Sequence, residues 1–265
     1  MDQTPTPPTL DVARDGRVLR LTIRNPAARN ALAPEMYAAG AQALANAAHD
    51  PGIGAVLLAG EGTTFCAGGN LNRLLANRER PPAQQRESIE GLHRWIRAIA
   101  AYPRPVVAAV EGAAAGAGCS LALACDLIVA AEDAKFAMSY VRVGLSPDGG
   151  GTWSAMRLLP RQTALEMLLE GGTLPAARLH ALGVVNALAP TGTAVQAGAE
   201  RAARLADGPA EAIARIKRLA RSAASAPLEA QLDAEREEFV EGLFAREAGE
   251  GISAFLGKRP PAWRG

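Results

Sequence analysis

Two turns built of small residues carry the groups from which a reactive site could be made. The first follows the apolar run 53–60 and reads F-C-A-G-G-N-L at 65–71; the second follows the run 105–110 and reads G-A-A-A-G-A-G at 112–118. The first N–H groups of a helix have no partner inside it, and small residues let a ligand oxygen come close enough to receive them. Two such turns, each after a strand, can aim two backbone N–H groups at one oxygen, where an anion or a developing oxyanion would sit. The plainer reading is that the glycines only permit tight helix and strand packing. Spacing excludes other chemistries. The second turn lacks G-x-G-x-x-G because position 121 is Leu, and no G-K-[ST] follows, so neither the dinucleotide fingerprint nor the P-loop is met. Ser120 lies in G-C-S-L-A rather than G-x-S-x-G, which argues against a nucleophile elbow. A third segment, G-L-S-P-D-G-G-G-T-W at 144–153, adds one carboxylate, Asp148; a turn or helix N-cap would equally explain it.

These groups need strands and helices to hold them. Residues 53–60 and 105–110 are apolar without helical spacing, as strands covered on both faces are. Residues 18–24, V-L-R-L-T-I-R, alternate apolar and polar side chains, predicting a strand with one solvated face. Pro34 opens a helix with Met36, Ala43, Leu44 and Ala47 at helical spacing. Helices are also expected at 71–75 and 119–124 and, with Ile89, Leu92, Ile96 and Ile99 on one face, after a mobile loop at 77–85. Trp95 on that helix suits the core better than a substrate contact. Strands at 126–130, 135–138 and 184–188 and helices at 153–159, 161–170, 175–182 and 193–207 complete a recurring strand, small-residue turn and helix unit that builds a spiral of stacked turns. From Gly208 the pattern becomes two amphipathic helices without strands. Residues 1–9 are expected to be disordered. Asp126 is read as a buried structural carboxylate, and Glu61, Glu111, Glu132 and Asp133 as solvated loop acids.

With 28 basic and 27 acidic residues among 265, the chain has no field to attract nucleic acid or an anionic membrane. Its three cysteines, all in small apolar segments, suggest reduced thiols in a cytoplasm. The three histidines are scattered without ligand spacing, so no metal site is expected. No run approaches membrane length.

Together, F-C-A-G-G-N-L at 65–71, E-G-A-A-A-G-A-G-C-S-L-A-L-A-C-D at 111–126 and G-L-S-P-D-G-G-G-T-W at 144–153 resemble three signature regions of the crotonase (enoyl-CoA hydratase/isomerase) superfamily. The likeness runs from about Val18 to the C-terminus, and the third region is most similar to the ring-opening isomerases of phenylacetate breakdown. The resemblance implies an α/β fold, a crotonase-like spiral of ββα turns over 10–207, with a C-terminal helical extension at 208–265 that joins protomers in a homotrimer or dimer of trimers. It implies an acyl-CoA thioester as substrate, with coenzyme A entering as part of it and no further cofactor. By motif position the amides of Ala67 and Ala117 would polarise the thioester carbonyl. Arg29, Ala67, Gly68, Asn70, Leu71, Phe255 and Lys258 would contact coenzyme A, the last two from an adjacent subunit.

Family hydratases hold a water between two glutamates, and here Ser120 and Tyr140 stand at those positions. Neither is a carboxylate, and a phenol with a reference pKa near 10 is a poor base at neutral pH. Asp148 remains, and one base facing an enolate suffices to move a double bond. Isomerisation of an enoyl-CoA is therefore the expected reaction. Hydration with unusual water activation, acyl-CoA binding without turnover, and dehalogenation at an aryl pocket of Trp95, Tyr140 and Trp153 are the alternatives.

Overall fold

The computed structural model describes residues 7–264. It opens with the antiparallel pair β1 (Thr9–Asp15) and β2 (Val18–Arg24). In β2, Leu19, Leu21 and Ile23 are buried while Arg20 and Thr22 are half-exposed, the alternation its sequence dictates. Then follow α1 (Pro34–Ala48), β3 (Ala55–Gly60), α2 (Leu71–Asn77), α3 (Pro82–Ala101), β4 (Val106–Val110), β5 (Ala113–Ala115) and α4 (Ala117–Ala124). The chain continues through β6 (Leu127–Ala131), β7 (Lys135–Ala137), a 3-10 turn at Ser139–Val143, α5 (Gly151–Leu158), α6 (Arg161–Leu169), β8 (Thr173–Pro175), α7 (Ala176–Ala181), β9 (Ala187–Ala189) and α8 (Ala194–Ala206). Three helices close it: α9 (Ala210–Ala223), α10 (Leu228–Leu243) and α11 (Arg246–Leu256).

Six strands form one sheet in the order β1-β2-β3-β4-β6-β9, parallel from β2 onward, and β5-β7-β8 form a second. Each of the units β4-β5-α4 and β6-β7-α5 gives one strand to each sheet, and a lone bridge from Cys66 to Ala114 adds a rudimentary strand after β3. Repetition of that unit is the expected spiral. β3 and β4 are buried at every residue because helices cover both faces. On one face α8 packs closely; a Cβ added to Gly198 would come 2.8 Å from that of Ala109. On the other, Trp95 is fully buried and its ring fills the space a side chain at Gly40 would need, so it is core. No helix of the described residues is long and apolar enough to cross a membrane.

Four expectations change. The first six residues lie outside the described residues, but Thr9, expected to be disordered, begins β1, an edge strand whose exposed pattern hid it. The loop expected at 77–85 ends early, because Pro82 supplies the first turn of α3 with a preset φ. The C-terminal segment holds three helices, not two. Glu111 is 5% exposed, not solvated: its carboxylate accepts the amides of Gly192 at 3.1 Å and Ala194 at 2.5 Å, capping α8. Replacing it with alanine strands those donors and is expected to lower stability by about 2–3 kcal/mol, since bonds to a charged acceptor are worth about 1.5–3. Thermal melting of Glu111→Ala beside Glu111→Gln checks this, the glutamine retaining an acceptor and most of the stability.

Candidate active site

The two small-residue turns meet backbone to backbone. A Cβ on Gly68 would lie 2.7 Å from the Ala115 carbonyl oxygen and 3.3 Å from the Ala117 nitrogen, and one on Gly118 would lie 2.5 Å from the Cys66 carbonyl oxygen. Gly68 also has φ +92°, where side chains are rarely tolerated. Glycine at 68 and 118 is thus what lets the turn after β3 lie against the start of α4.

Which amides remain available follows from the hydrogen bonds. Ala67, the donor expected from the motif, gives its N–H to the Arg29 carbonyl at 3.0 Å, so it is already spent. Gly69 and Ala117 donate to no protein acceptor among the described residues. They flank the Gly68 contact, and Ala117 opens α4, where the helix dipole adds positive potential. Among the amides without a protein acceptor, Gly69 and Ala117 are the pair that flanks this contact, one from each turn. Ala117 takes helical geometry without strain; the left-handed residue is its neighbour Gly116, at φ 52°. The thiol beside this contact, Cys66, is fully buried, which pushes its pKa up to about 12 and keeps it protonated.

A third turn, at 25–32, holds the first in place. The Asn30 side chain donates to the carbonyls of Glu61 and Thr64 at 2.9 and 2.6 Å, and the Leu32 amide donates to Gly68 at 2.8 Å. Arg29 projects from this turn, exposed and left-handed, φ 51°. Asn70 accepts the Arg73 amide at 3.1 Å, so its side chain caps α2, and Leu71 is exposed just beyond it. Arg29, Ala67, Gly68, Asn70 and Leu71 are thus brought together. Phe255 and Lys258 sit exposed at the end of α11, and no hydrogen bond among the described residues ties them to the turns. A polar pocket of about 420 Å³ opens on the Asn25, Pro34 and Arg73 side of α2, beside these groups but excluding Asp148.

Asp148 opens a turn, as P-D-G suggests, but it is not the cap of α5. Its carbonyl accepts the Gly151 amide at 3.0 Å across Gly149 and Gly150, both at positive φ, while Gly150 is the N-cap of α5. The same carbonyl accepts the Ser120 hydroxyl at 2.9 Å. Its carboxylate accepts the Tyr140 hydroxyl at 2.6 Å. Ser120 is fully buried; Tyr140 and Asp148 are mostly buried. Burial, then the charge and hydrogen bond of Asp148, push the Tyr140 phenol well above its ordinary pKa, so it stays protonated and donates. The residues at both lost-glutamate positions thus hold Asp148, Tyr140 by its carboxylate and Ser120 by its main-chain carbonyl. The Tyr140 ring in turn lies 3.7 Å from where a Gly116 Cβ would be, beside the Ala117 donor.

Asp126 sits elsewhere, accepting the Val106 amide at 2.7 Å and pairing with Lys217; desolvation raises its pKa. It is structural, as expected, though exposed rather than buried. Trp153 is 57% exposed with Arg157 stacked 4.1 Å from its ring centroid, so with Trp95 in the core there is no aryl pocket of the three aromatics. What sequence reading missed was Gly69. Its signal was present in the doubled glycine of C-A-G-G-N, but only the bond from Ala67 to Arg29 shows which amide in the turn is left over.

Comparison with known proteins bears on this arrangement. The family model described as enoyl-CoA hydratase/isomerase matches residues 13–265. The 1,2-epoxyphenylacetyl-CoA isomerase of Escherichia coli (strain K12) is 37% identical over 251 residues, 94% of this chain and 95% of that protein. The 2,3-dehydroadipyl-CoA hydratase of the same organism is 34% identical, covering 97% of this chain and 98% of that protein. Among solved structures, an enoyl-CoA hydratase from Polaromonas sp. JS666 superposes with a TM-score of 0.94 at 54% identity, covering 96% of this chain and 98% of that one.

Proposed function

The chain belongs to the enoyl-CoA hydratase/isomerase family, and from that premise we propose that it moves the double bond of an enoyl-CoA, with Gly69 and Ala117 as oxyanion donors and Asp148 as the single acid/base. The carrying observation is that Asp148 is held from both glutamate positions, its carboxylate by the Tyr140 phenol and its main-chain carbonyl by the Ser120 hydroxyl. Among the described residues neither Ser120 nor Tyr140 bonds to a second carboxylate.

In the forward direction the Asp148 carboxylate takes a proton from C2 of a 3-enoyl thioester. The C–H pair becomes the C1–C2 double bond and the carbonyl π pair moves to oxygen, giving a dienolate. The two amides stabilise that oxygen as it gains charge, each worth about 3 kcal/mol. Asp148 then returns the proton to C4: the C3–C4 π pair forms the new C4–H bond, the C1–C2 π pair shifts to C2–C3 and the oxygen pair re-forms the carbonyl, so nothing is added or lost. Coenzyme A would run past Arg29, Gly68 and Leu71, with Asn70 holding α2 in place and Phe255 and Lys258 supplied by a neighbouring protomer of a trimer or dimer of trimers. The exposed Phe239, Phe244, Phe255 and Leu256 of the C-terminal helices support such an assembly, since large apolar side chains in number mark contact surfaces.

Incubation with 3-enoyl-CoA and 2-enoyl-CoA in deuterated water tests the reaction. Deuterium at the alpha or gamma carbon with no added hydroxyl is the expected result, read by mass spectrometry; a beta-hydroxyacyl product refutes it. Hydration is the second reading, favoured by the 54% identical structure described as a hydratase. It predicts that crotonyl-CoA hydration persists in Asp148→Asn.

A further inference from the structure

We propose that Tyr140 is the positioning residue of Asp148, fixing which carboxylate oxygen faces the substrate and how far it stands from the oxyanion donors. The proposal rests on the isomerase reading for its kinetic consequence, but the pairing itself is a property of the folded chain.

The backbone of Asp148 is immobilised without any help from Tyr140. Its carbonyl takes the Ser120 hydroxyl and the Gly151 amide, and the next residue is wedged, since a Cβ on Gly149 would come 3.1 Å from the Ser120 Cβ and 3.3 Å from Leu92. Side-chain rotation remains. The 2.6 Å bond from the Tyr140 hydroxyl to Oδ1 removes it and leaves Oδ2 as the oxygen free to take a proton. The tyrosine is itself placed by two contacts: its carbonyl accepts the Leu145 amide at 3.0 Å, closing the 140–145 segment, and its ring rests beside Gly116. One side chain therefore touches both the acid/base and the turn that carries Ala117. It works as a spacer between the place where the proton leaves and the place where charge gathers, and proton transfer is sensitive to that spacing.

Phenylalanine at 140 retains the ring and its contact with Gly116 while freeing the carboxylate. Tyr140→Phe is expected to lose about 10- to 100-fold in kcat with KM for the thioester changed less than about twofold, because the lost contact acts on the proton-transfer step. Its melting temperature stays near that of the unmodified protein. A second readout needs no turnover. With tyrosines labelled at Cζ, the carbon signal missing from Tyr140→Phe identifies residue 140, with Tyr37 and Tyr102 as internal references. Because the phenol donates to the Asp148 carboxylate, Asp148→Asn should shift that signal at neutral pH, where all the tyrosines are protonated. Tyr37 on α1 accepts a 3.4 Å hydrogen bond from Arg73 on α2 and donates to no Asp148 oxygen among the described residues, so its signal should stay in place.

A residue 140 signal indifferent to Asp148→Asn overturns the proposal. So does a Tyr140→Phe defect confined to KM or to melting. Absence of isomerisation in the unmodified protein would instead sink the assigned reaction, and the labelled spectra would still decide the pairing.

Discussion

Asp148→Asn is expected to lower isomerase turnover by roughly 100- to 10,000-fold, the range that a positioned general acid/base contributes. The change keeps the shape of the side chain and an oxygen that accepts from the Tyr140 hydroxyl, so the fold and thioester binding should be little altered. It removes only the capacity to carry a proton between carbons. Three measurements separate the cases: kcat falls, KM stays within a few-fold, and melting is unchanged. Deuterium exchange at the alpha carbon should fall in parallel, because abstraction and return use the same oxygen. Turnover within tenfold of the unmodified protein would show that another group holds the proton.

The second large effect is a contrast between adjacent glycines. Gly68→Ala is expected to lose about 100- to 1,000-fold in kcat, the cost of one misplaced oxyanion donor. The new methyl group would meet the Ala115 carbonyl at 2.7 Å at φ +92°, so the turn must move, and the neighbouring Gly69 amide moves with it. Gly69→Ala makes the opposite prediction. A Cβ there meets only the Leu74 Cδ1, at 3.8 Å, φ is not positive, and the N–H is retained. Activity within about fivefold is expected, since substitutions free of strain and clash usually cost little. Steady-state kinetics of the two variants side by side decide whether the donor is main chain at 69. Equal losses would place the donor elsewhere.

Much of this was legible in the residues because the strongest signals are local. The buried runs of β3 and β4, the alternation of β2 and the Pro34 start of α1 each follow from a period or a single constrained torsion. The three site segments were readable for the same reason, as small-residue turns after strands. What escaped depends on contacts distant in sequence. Glu111 looks like any acid after a strand until the start of α8 brings two amides to it, 81 and 83 residues later. Ala67 and Gly69 are equivalent candidates until the 25–32 turn claims one of them. Ser120 and Tyr140 looked like losses at the glutamate positions. Only the folded chain shows both bound to the same aspartate, 28 and 8 residues away. The missed edge strand β1 lacks a distinctive pattern because all but one of its residues are exposed, whereas the third C-terminal helix, Arg246–Leu256, is amphipathic and was there to be read.

The meeting of the two turns at Gly68 has an outcome for heredity. A polarising device made of peptide amides has no codon of its own, so a saturation scan that scores only side-chain identity at 69 or 117 would pass over it, while its neighbours at 68 and 118 would register as intolerant for purely spatial reasons. On the proposed reading the electrophile thus depends on the space at 68 and 118 and not on a side chain of its own, whereas the proton carrier is a single replaceable side chain on a separate loop, the part that can be exchanged to change the reaction.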